Sequence, residues 1–291
     1  MSVITENSNP ATWDIDIQDG EKIARLINDE DKKVALAVEQ ILPDIGKAIE
    51  KIAERLRRGG RMAYFGAGTS GRMGVLDASE MPPTFGVSSK LISGYIAGGE
   101  KAIRHAVEGA EDKTAPAEED FNDFNAGKND VVVAISASGN PNYTLKILQL
   151  GRSKEALTIA ITSNPEAIFK QYADIFLCTP VGGEAITGSS RMKSGTAQKM
   201  VLNMLSTGAM IRLGKTYHNY MVDLQINNKK LQDRAINIIK EISGVDEHTA
   251  KEALKIAGNV KTACVMIIKN CDKNAAEALL QQNDGILRRI I

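Results

Sequence analysis

The sequence predicts an α/β fold: a five-stranded parallel sheet sandwiched between helices (an αβα sandwich of flavodoxin-like strand order), with a small all-helical C-terminal module. Three observations carry that prediction. Short apolar runs alternate with segments of helical spacing between residues 61 and 213. Two of those runs are almost unbroken in apolar and β-branched residues, as strands covered on both faces by crossover helices must be. Beyond about residue 230 the runs stop and only helical spacing remains.

After a polar arm, Val34, Val38, Ile41, Leu42, Ile45, Ile49, Ile52 and Leu56 recur at helical spacing over 30–58, and Pro43 predicts a break in that helix. Gly59 and Gly60 end it. Strands are expected at 61–65, 90–96, 131–135, 157–161 and 174–178, each followed by a turn and a helix. Asn164-Pro165-Glu166 reads as one such helix start, with Asn as N-cap and Pro set for the first helical position. Residues 191–213 form one more long helix. The C-terminal module is expected as helices at 231–243, 246–257, 259–270 and 272–282, parted by Gly244, Gly258 and Asn270. The chain thus divides into an arm with a long helix (1–58), an α/β domain (59–225) and a helical module (226–291).

Composition narrows the function. Lys+Arg and Asp+Glu are both 36, so no bulk positive field exists to hold a nucleic-acid backbone, and any anionic ligand is expected to be small. The three cysteines, Cys178, Cys264 and Cys271, form no C-x-x-C pair and are expected as reduced thiols. The first twenty residues carry neither a basic n-region nor an apolar h-region, and no stretch is apolar enough to span a bilayer. A cytoplasmic location without membrane association is expected.

The first predicted strand runs into GAGTSGR (66–72), which satisfies G-x-G-x-x-G through Gly66, Gly68 and Gly71 in a strand-turn-helix context. A dinucleotide site also needs an acid at the end of the second strand to hold the ribose. Here that stretch reads KLISGYIAGG, and Glu100 comes late. NAD is therefore not expected. The third and fourth strands end in SASGN (136–140) and TSN (162–164). In a sheet of order 2-1-3-4-5 the ligand crevice opens between strands 1 and 3, which carry Thr69-Ser70 and Ser136-Ser138. Backbone N–H groups at helix N-termini plus hydroxyl donors make a phosphate cradle that needs no Arg or Lys. These hydroxyls also suit plain N-capping, but two such loops at the switch point favour a phosphate.

GAGTSGRMGVLDASEMPPTFG (66–86), AGGEKAIRHAVEGAED (97–112) and GSSRMKSGTAQKMVLNMLSTG (188–208) resemble the signature segments of the bacterial N-acetylmuramic acid 6-phosphate etherases, within the sugar isomerase (SIS) fold superfamily. The resemblance runs through nearly the whole chain. It implies a five-stranded αβα domain, a C-terminal module similar to ubiquitin-associated domains, homodimers, no cofactor, and cleavage of the D-lactyl ether to N-acetylglucosamine 6-phosphate and D-lactate. One segment departs: where the family commonly reads SASGRTPY this chain has SASGNPNY (136–143), so Pro141 replaces a Thr hydroxyl.

An alkyl ether is inert at neutral pH unless the neighbouring carbon becomes anionic. Ring opening makes C1 an aldehyde, acidifies the C2 proton and lets the C3 oxygen leave, after which water adds back. One ionised and one protonated group suffice. The resemblance places Glu80 and Glu111 in those roles: Glu80 as the acid on the lactyl oxygen, Glu111 as the base or second acid/base group. Glu80 is expected at the end of the helix that starts in the first phosphate loop and is cut off by Pro82 and Pro83, partly desolvated and raised in pKa. Glu111 is expected at the end of the helix in HAVEGAED, where residues alone read as a solvated charge. His105 and Glu108, three apart on one expected helix, lack the further ligands a metal needs, and no metal is expected. Arg191, Lys193 and Ser194, at the start of a long helix, suit an anion such as the lactyl carboxylate, or equally a helix capped by Ser189 or Ser190 with exposed basic side chains. The methionines at 192, 200, 204 and 210 read as core or interface filler. An aldose-ketose isomerase and a non-catalytic sugar-phosphate sensor are the alternative functions.

Overall fold

The computed structural model describes residues 4–291. It divides into two compact units, one made of the chain up to Ser79 together with Ser89–Thr207, the other of Glu80–Ser88 together with Gly208–Ile291.

The first unit opens with the arm and two helices, α1 (Gly20–Glu39) and α2 (Leu42–Arg57). Pro43 does mark the break, and it stands in the first turn of α2, where a missing N–H costs nothing. Then come β1 (Met62–Gly66) and α3 (Gly68–Ser79), with α4 (Met81–Phe85) belonging to the second unit. The first unit continues with β2 (Ile92–Ile96), α5 (Gly99–Arg104), α6 (Ala115–Phe124), β3 (Val131–Ile135), α7 (Asn142–Ser153), β4 (Leu157–Thr162) and β5 (Ile175–Cys178). α8 (Lys193–Arg212) follows.

All five strands pair in parallel in the order β2-β1-β3-β4-β5, as the loop argument required. β1, β3 and β4 are buried along their whole length, which explains their unbroken apolar runs, whereas the edge strands β2 and β5 keep half-buried positions. Phe65 stacks on Tyr95 with ring centroids 4.9 Å apart, and Phe124 meets both edge-on. Two expected helices do not form as such. After β4, Asn164 Oδ1 accepts the Glu166 N–H at 3.1 Å, but only a 3-10 turn (Ile168–Gln171) follows. After β5 the chain stays irregular until Lys193.

Besides α4, the second unit holds a two-residue hairpin, β6 (Thr216–Tyr217) with β7 (Tyr220–Met221), and the four helices α9 (Lys229–Ser243), α10 (Glu247–Ala257), α11 (Val260–Lys269) and α12 (Lys273–Gln282). Each of these four starts from an Asn or Asp (228, 246, 259, 272) whose side chain accepts an orphan N–H of the first turn. Gly244, Gly258 and Asn270 end three of them in left-handed conformation. Ala235, Ile239, Ala250, Leu254, Ala263 and Cys264 form its core. The observed division falls inside α8 rather than at 225, residues 4–58 pack within the first unit, and 80–88 join the second. The cysteines are free, and no helix among the described residues is long and apolar enough to cross a membrane.

Candidate active site

The loops after β1 and β3 leave adjacent strands at the same level, since Gly66 and Ile135 are register partners. Gly71 lets the first turn of α3 press against the sheet: a Cβ there would lie 2.6 Å from the Ile96 side chain and 2.7 Å from the Gly66 carbonyl. That approach brings Thr69 and Ser70, in the first turn of α3, beside Ser136 and Ser138. All four hydroxyl residues line one cavity of about 290 Å³, together with Glu111, Pro141 and Ser190 and with Thr5 and Glu6 from the arm. Ser136 Oγ accepts the Gly139 N–H at 3.1 Å and pairs with Ser138 Oγ at 3.4 Å, so of the two hydroxyls one donates to the other and the remaining proton points to an incoming anion. Asn164 Nδ2 braces the loop from below through the Ser138 carbonyl at 3.0 Å.

Glu111 stands elsewhere than expected. α5 ends at Arg104, and Glu111 sits on a separate 3-10 turn (Ala110–Asp112) reached through Gly109. Asn142 Nδ2 holds that turn through the Asp112 carbonyl at 3.1 Å. The residue is exposed, but desolvation of its carboxyl against the cavity wall, then the neighbouring carboxylates of Asp112 and Glu108, push it above the usual glutamate range. A second cavity of about 180 Å³, to which Arg72 and Val107 contribute, shares Ala67, Gly68 and Glu111 with the first. Arg72 is fixed there by donating to the carbonyls of Ile103 and His105.

The prolines after Glu80 begin a helix instead of ending one. α3 stops at Ser79, Glu80 takes the N-cap position of α4, and Pro82 lies in that helix's first turn. Glu80 belongs to the second unit and its side chain is exposed, not desolvated. His105 and Glu108 do not share a helix, because His105 caps α5 in extended conformation. Among the described residues no group of three or more His, Cys, Asp or Glu is placed to hold a metal ion.

At the start of α8 both sequence readings miss the partners. The carboxylate of buried Glu184 accepts the N–H groups of Lys193 (2.8 Å) and Ser194 (3.0 Å), so it occupies the anion position that a ligand or a serine cap would take. Lys193 is buried, not exposed, and its Nζ meets Glu30 of α1 at 2.6 Å with both side chains almost fully enclosed. Glu30 also binds Lys33. Burial pushes the Glu30 carboxyl up, but hydrogen bonds from Lys193, Lys33 and Asn9 outweigh it and bring it down to about 2. Arg191 is exposed, Met210 is in the core, and Met192, Met200 and Met204 are half-buried. Glu6, Thr5, Arg72, Glu30 and Glu184 are the residues sequence reasoning passed over, and Ser190, read there only as a helix cap, lines the cavity.

Comparison with known proteins decides the family. The chain is 49% identical over 288 residues to the N-acetylmuramic acid 6-phosphate etherase of Glaesserella parasuis, covering 99% of this chain and 95% of that protein. It is 48% identical over 290 residues to the enzyme of that name from Escherichia coli O1:K1, covering 99% and 97%. The chain belongs to the N-acetylmuramic acid 6-phosphate etherase family. Within this etherase-family chain, residues 44–152 match the family model of the glucokinase regulatory protein N-terminal SIS domain and 114–208 that of the SIS domain. Residues 218–259 match the C-terminal lid domain of glucokinase regulatory protein. A Bacteroides fragilis protein described as a phosphosugar isomerase involved in capsule formation shares the fold, with TM-score 0.51, 22% identity, and coverage of 74% of this chain and 95% of that one.

Proposed function

We propose that this protein cleaves the D-lactyl ether of N-acetylmuramic acid 6-phosphate, giving N-acetylglucosamine 6-phosphate and D-lactate by elimination and re-addition of water. The observation that carries the mechanism is the meeting of four hydroxyl residues and Glu111 in one cavity. Thr69, Ser70, Ser136 and Ser138 donate to the phosphate, helped by the N–H groups at the start of α3. With the sugar open as the aldehyde, Glu111 takes the C2 proton. The C2 electrons form the C2–C3 double bond as the C3–oxygen bond breaks, and Glu80 protonates the departing lactate oxygen. Water then adds to C3 of the unsaturated aldehyde and C2 regains a proton. A carboxyl held above its usual range suits proton abstraction from carbon, since it is a stronger base than an ordinary carboxylate. The protein acts in the cytoplasm as a homodimer, without metal or nucleotide cofactor.

The test is direct. Purified protein incubated with N-acetylmuramic acid 6-phosphate is expected to release D-lactate and N-acetylglucosamine 6-phosphate in equal amounts. Formation of a ketose phosphate without lactate would replace this reading with the isomerase one.

A further inference from the structure

We infer that Glu6, carried by the N-terminal arm, contacts the substrate and helps define its specificity, its carboxylate accepting a hydrogen bond from a neutral donor of the sugar, the 4-hydroxyl or the acetamido N–H. This deepens the etherase reading and rests on it. The reaction as derived makes no use of the arm, yet Thr5 and Glu6 line the same cavity as the hydroxyl cradle and Glu111. Thr5 is buried, so the chain enters the cavity wall at that point.

The arm is seated by specific bonds. Asn9 Nδ2 donates to the Gly183 carbonyl at 3.2 Å, and Thr12 Oγ1 donates to the Ala185 carbonyl at 2.9 Å. The enclosed Glu30–Lys193 pair lies against the same arm, because Asn9 also hydrogen-bonds Glu30. Room for the carboxylate comes from Gly188, which has φ +77°. A Cβ there would stand 3.0 Å from Glu6 Oε2, so a side chain at 188 would press on the carboxylate.

Charge then selects what Glu6 can meet. The substrate brings two anions, the phosphate and the lactyl carboxylate, and a glutamate repels both. Its complement is a neutral hydrogen-bond donor, and bonds with an ionised acceptor are the stronger kind. Glu6 is exposed in the open cavity, so a bound sugar that covers it and lacks the donor leaves the carboxylate short of a hydrogen bond, and such a sugar is disfavoured.

The experiment measures KM and kcat of the full chain for the natural substrate and for two analogues, one without the 4-hydroxyl and one with the acetamido N–H replaced by an ester oxygen. Glu6→Ala is expected to raise KM roughly ten- to a hundredfold, with a smaller change in kcat and the pH profile retained. The wild-type penalty for one of the two analogues should disappear in Glu6→Ala. Glu6→Gln should fall between, since its amide oxygen still accepts, and it is read the same way if Glu6→Ala does not fold. A KM within twofold of wild type, or analogue penalties that stay undiminished in the variant, overturns the inference. Calorimetric titration with N-acetylglucosamine 6-phosphate, which carries both donors, reads Glu6 without turnover. Absence of lactate release by the wild type removes the etherase reading, whereas calorimetric affinity unchanged by Glu6→Ala removes the role of Glu6.

Discussion

Replacing Lys193 by Met removes the cation from an enclosed pair while keeping the length of an apolar stem. Glu30 would then lie buried with only Lys33 and Asn9 to compensate it. Its fall from 4.5 to about 2 corresponds to about 3 kcal/mol of stabilisation shared among three partners. Breaking one side of a buried pair also leaves an uncompensated charge, so Lys193→Met is expected to cost about 2–3 kcal/mol. For a unit of this size that lowers Tm by roughly 4–12 °C. The folded value lies below the unfolded one, so the contribution is complete above about pH 5 and vanishes as pH falls to about 2. In the variant Glu30 protonates more readily, and the gap from wild type should therefore narrow as the solution is acidified below pH 5. Thermal melts followed by far-UV circular dichroism between pH 7 and pH 3 give both numbers. A lysine that bound the lactyl carboxylate would behave the opposite way. A Tm within 1 °C of wild type, with a raised KM, would refute the structural role.

Ser136→Ala and Ser138→Ala are each expected to weaken sugar-phosphate binding by about 1–3 kcal/mol in calorimetric titration, with the larger loss at Ser136, whose oxygen also serves the Gly139 N–H. Unchanged affinity in both variants would sink the cradle. Glu80→Gln should lose ether cleavage while still exchanging solvent deuterium into position 2, whereas Glu111→Gln should lose both, each by about 10² to 10⁴ in rate. The reverse pattern swaps the roles, and near-normal turnover in both variants ends the two-carboxyl mechanism. The acid limb of kcat/KM should lie above the ordinary glutamate value of 4.5, because Glu111 must be ionised to act and its carboxyl is raised. Neutralising Asp112 and Glu108 together should move that limb down, and a limb that stays in place would assign it to another group.

Much of the first unit was legible because burial on both faces writes itself into sequence: the runs at 131–135 and 157–161 are strands to within a residue. The caps were legible for a similar local reason, since Gly244, Gly258 and Asn270 each take the left-handed conformation that punctuates a helix. The meeting of Thr69, Ser70, Ser136 and Ser138 in one cavity followed from strand order together with the hydroxyl-rich ends of the first and third strands. The two glutamates were harder. A proline after a helix can stop it or start the next, and Pro82 does the second, so Glu80 became a cap position. The HAVEGAED stretch has helical composition, yet Gly109 turns it at φ +67° and puts Glu111 on a short turn. Lys193 had no local signal at all, because its partner lies 163 positions away. Glu184, which caps α8 through space, gave none either.

The segment that departs from the family pattern ties these placements together. SASGNPNY gives up a hydroxyl at Pro141, which lines the cavity as an apolar wall. The next residue, Asn142, reaches the Asp112 carbonyl and so braces the turn that carries Glu111. Desolvation of the Glu111 carboxyl and the carboxylates of Asp112 and Glu108 beside it all disfavour its charged form. A short 3-10 turn has poorer hydrogen-bond geometry than an α-helix, so a bond from outside helps to hold its backbone. Asn142 supplies such a bond from the start of α7, an element anchored in the core through Tyr143 and Ile147. In the proposed mechanism, the residues assigned to the phosphate thus run directly into the residue that braces the turn carrying the proposed base.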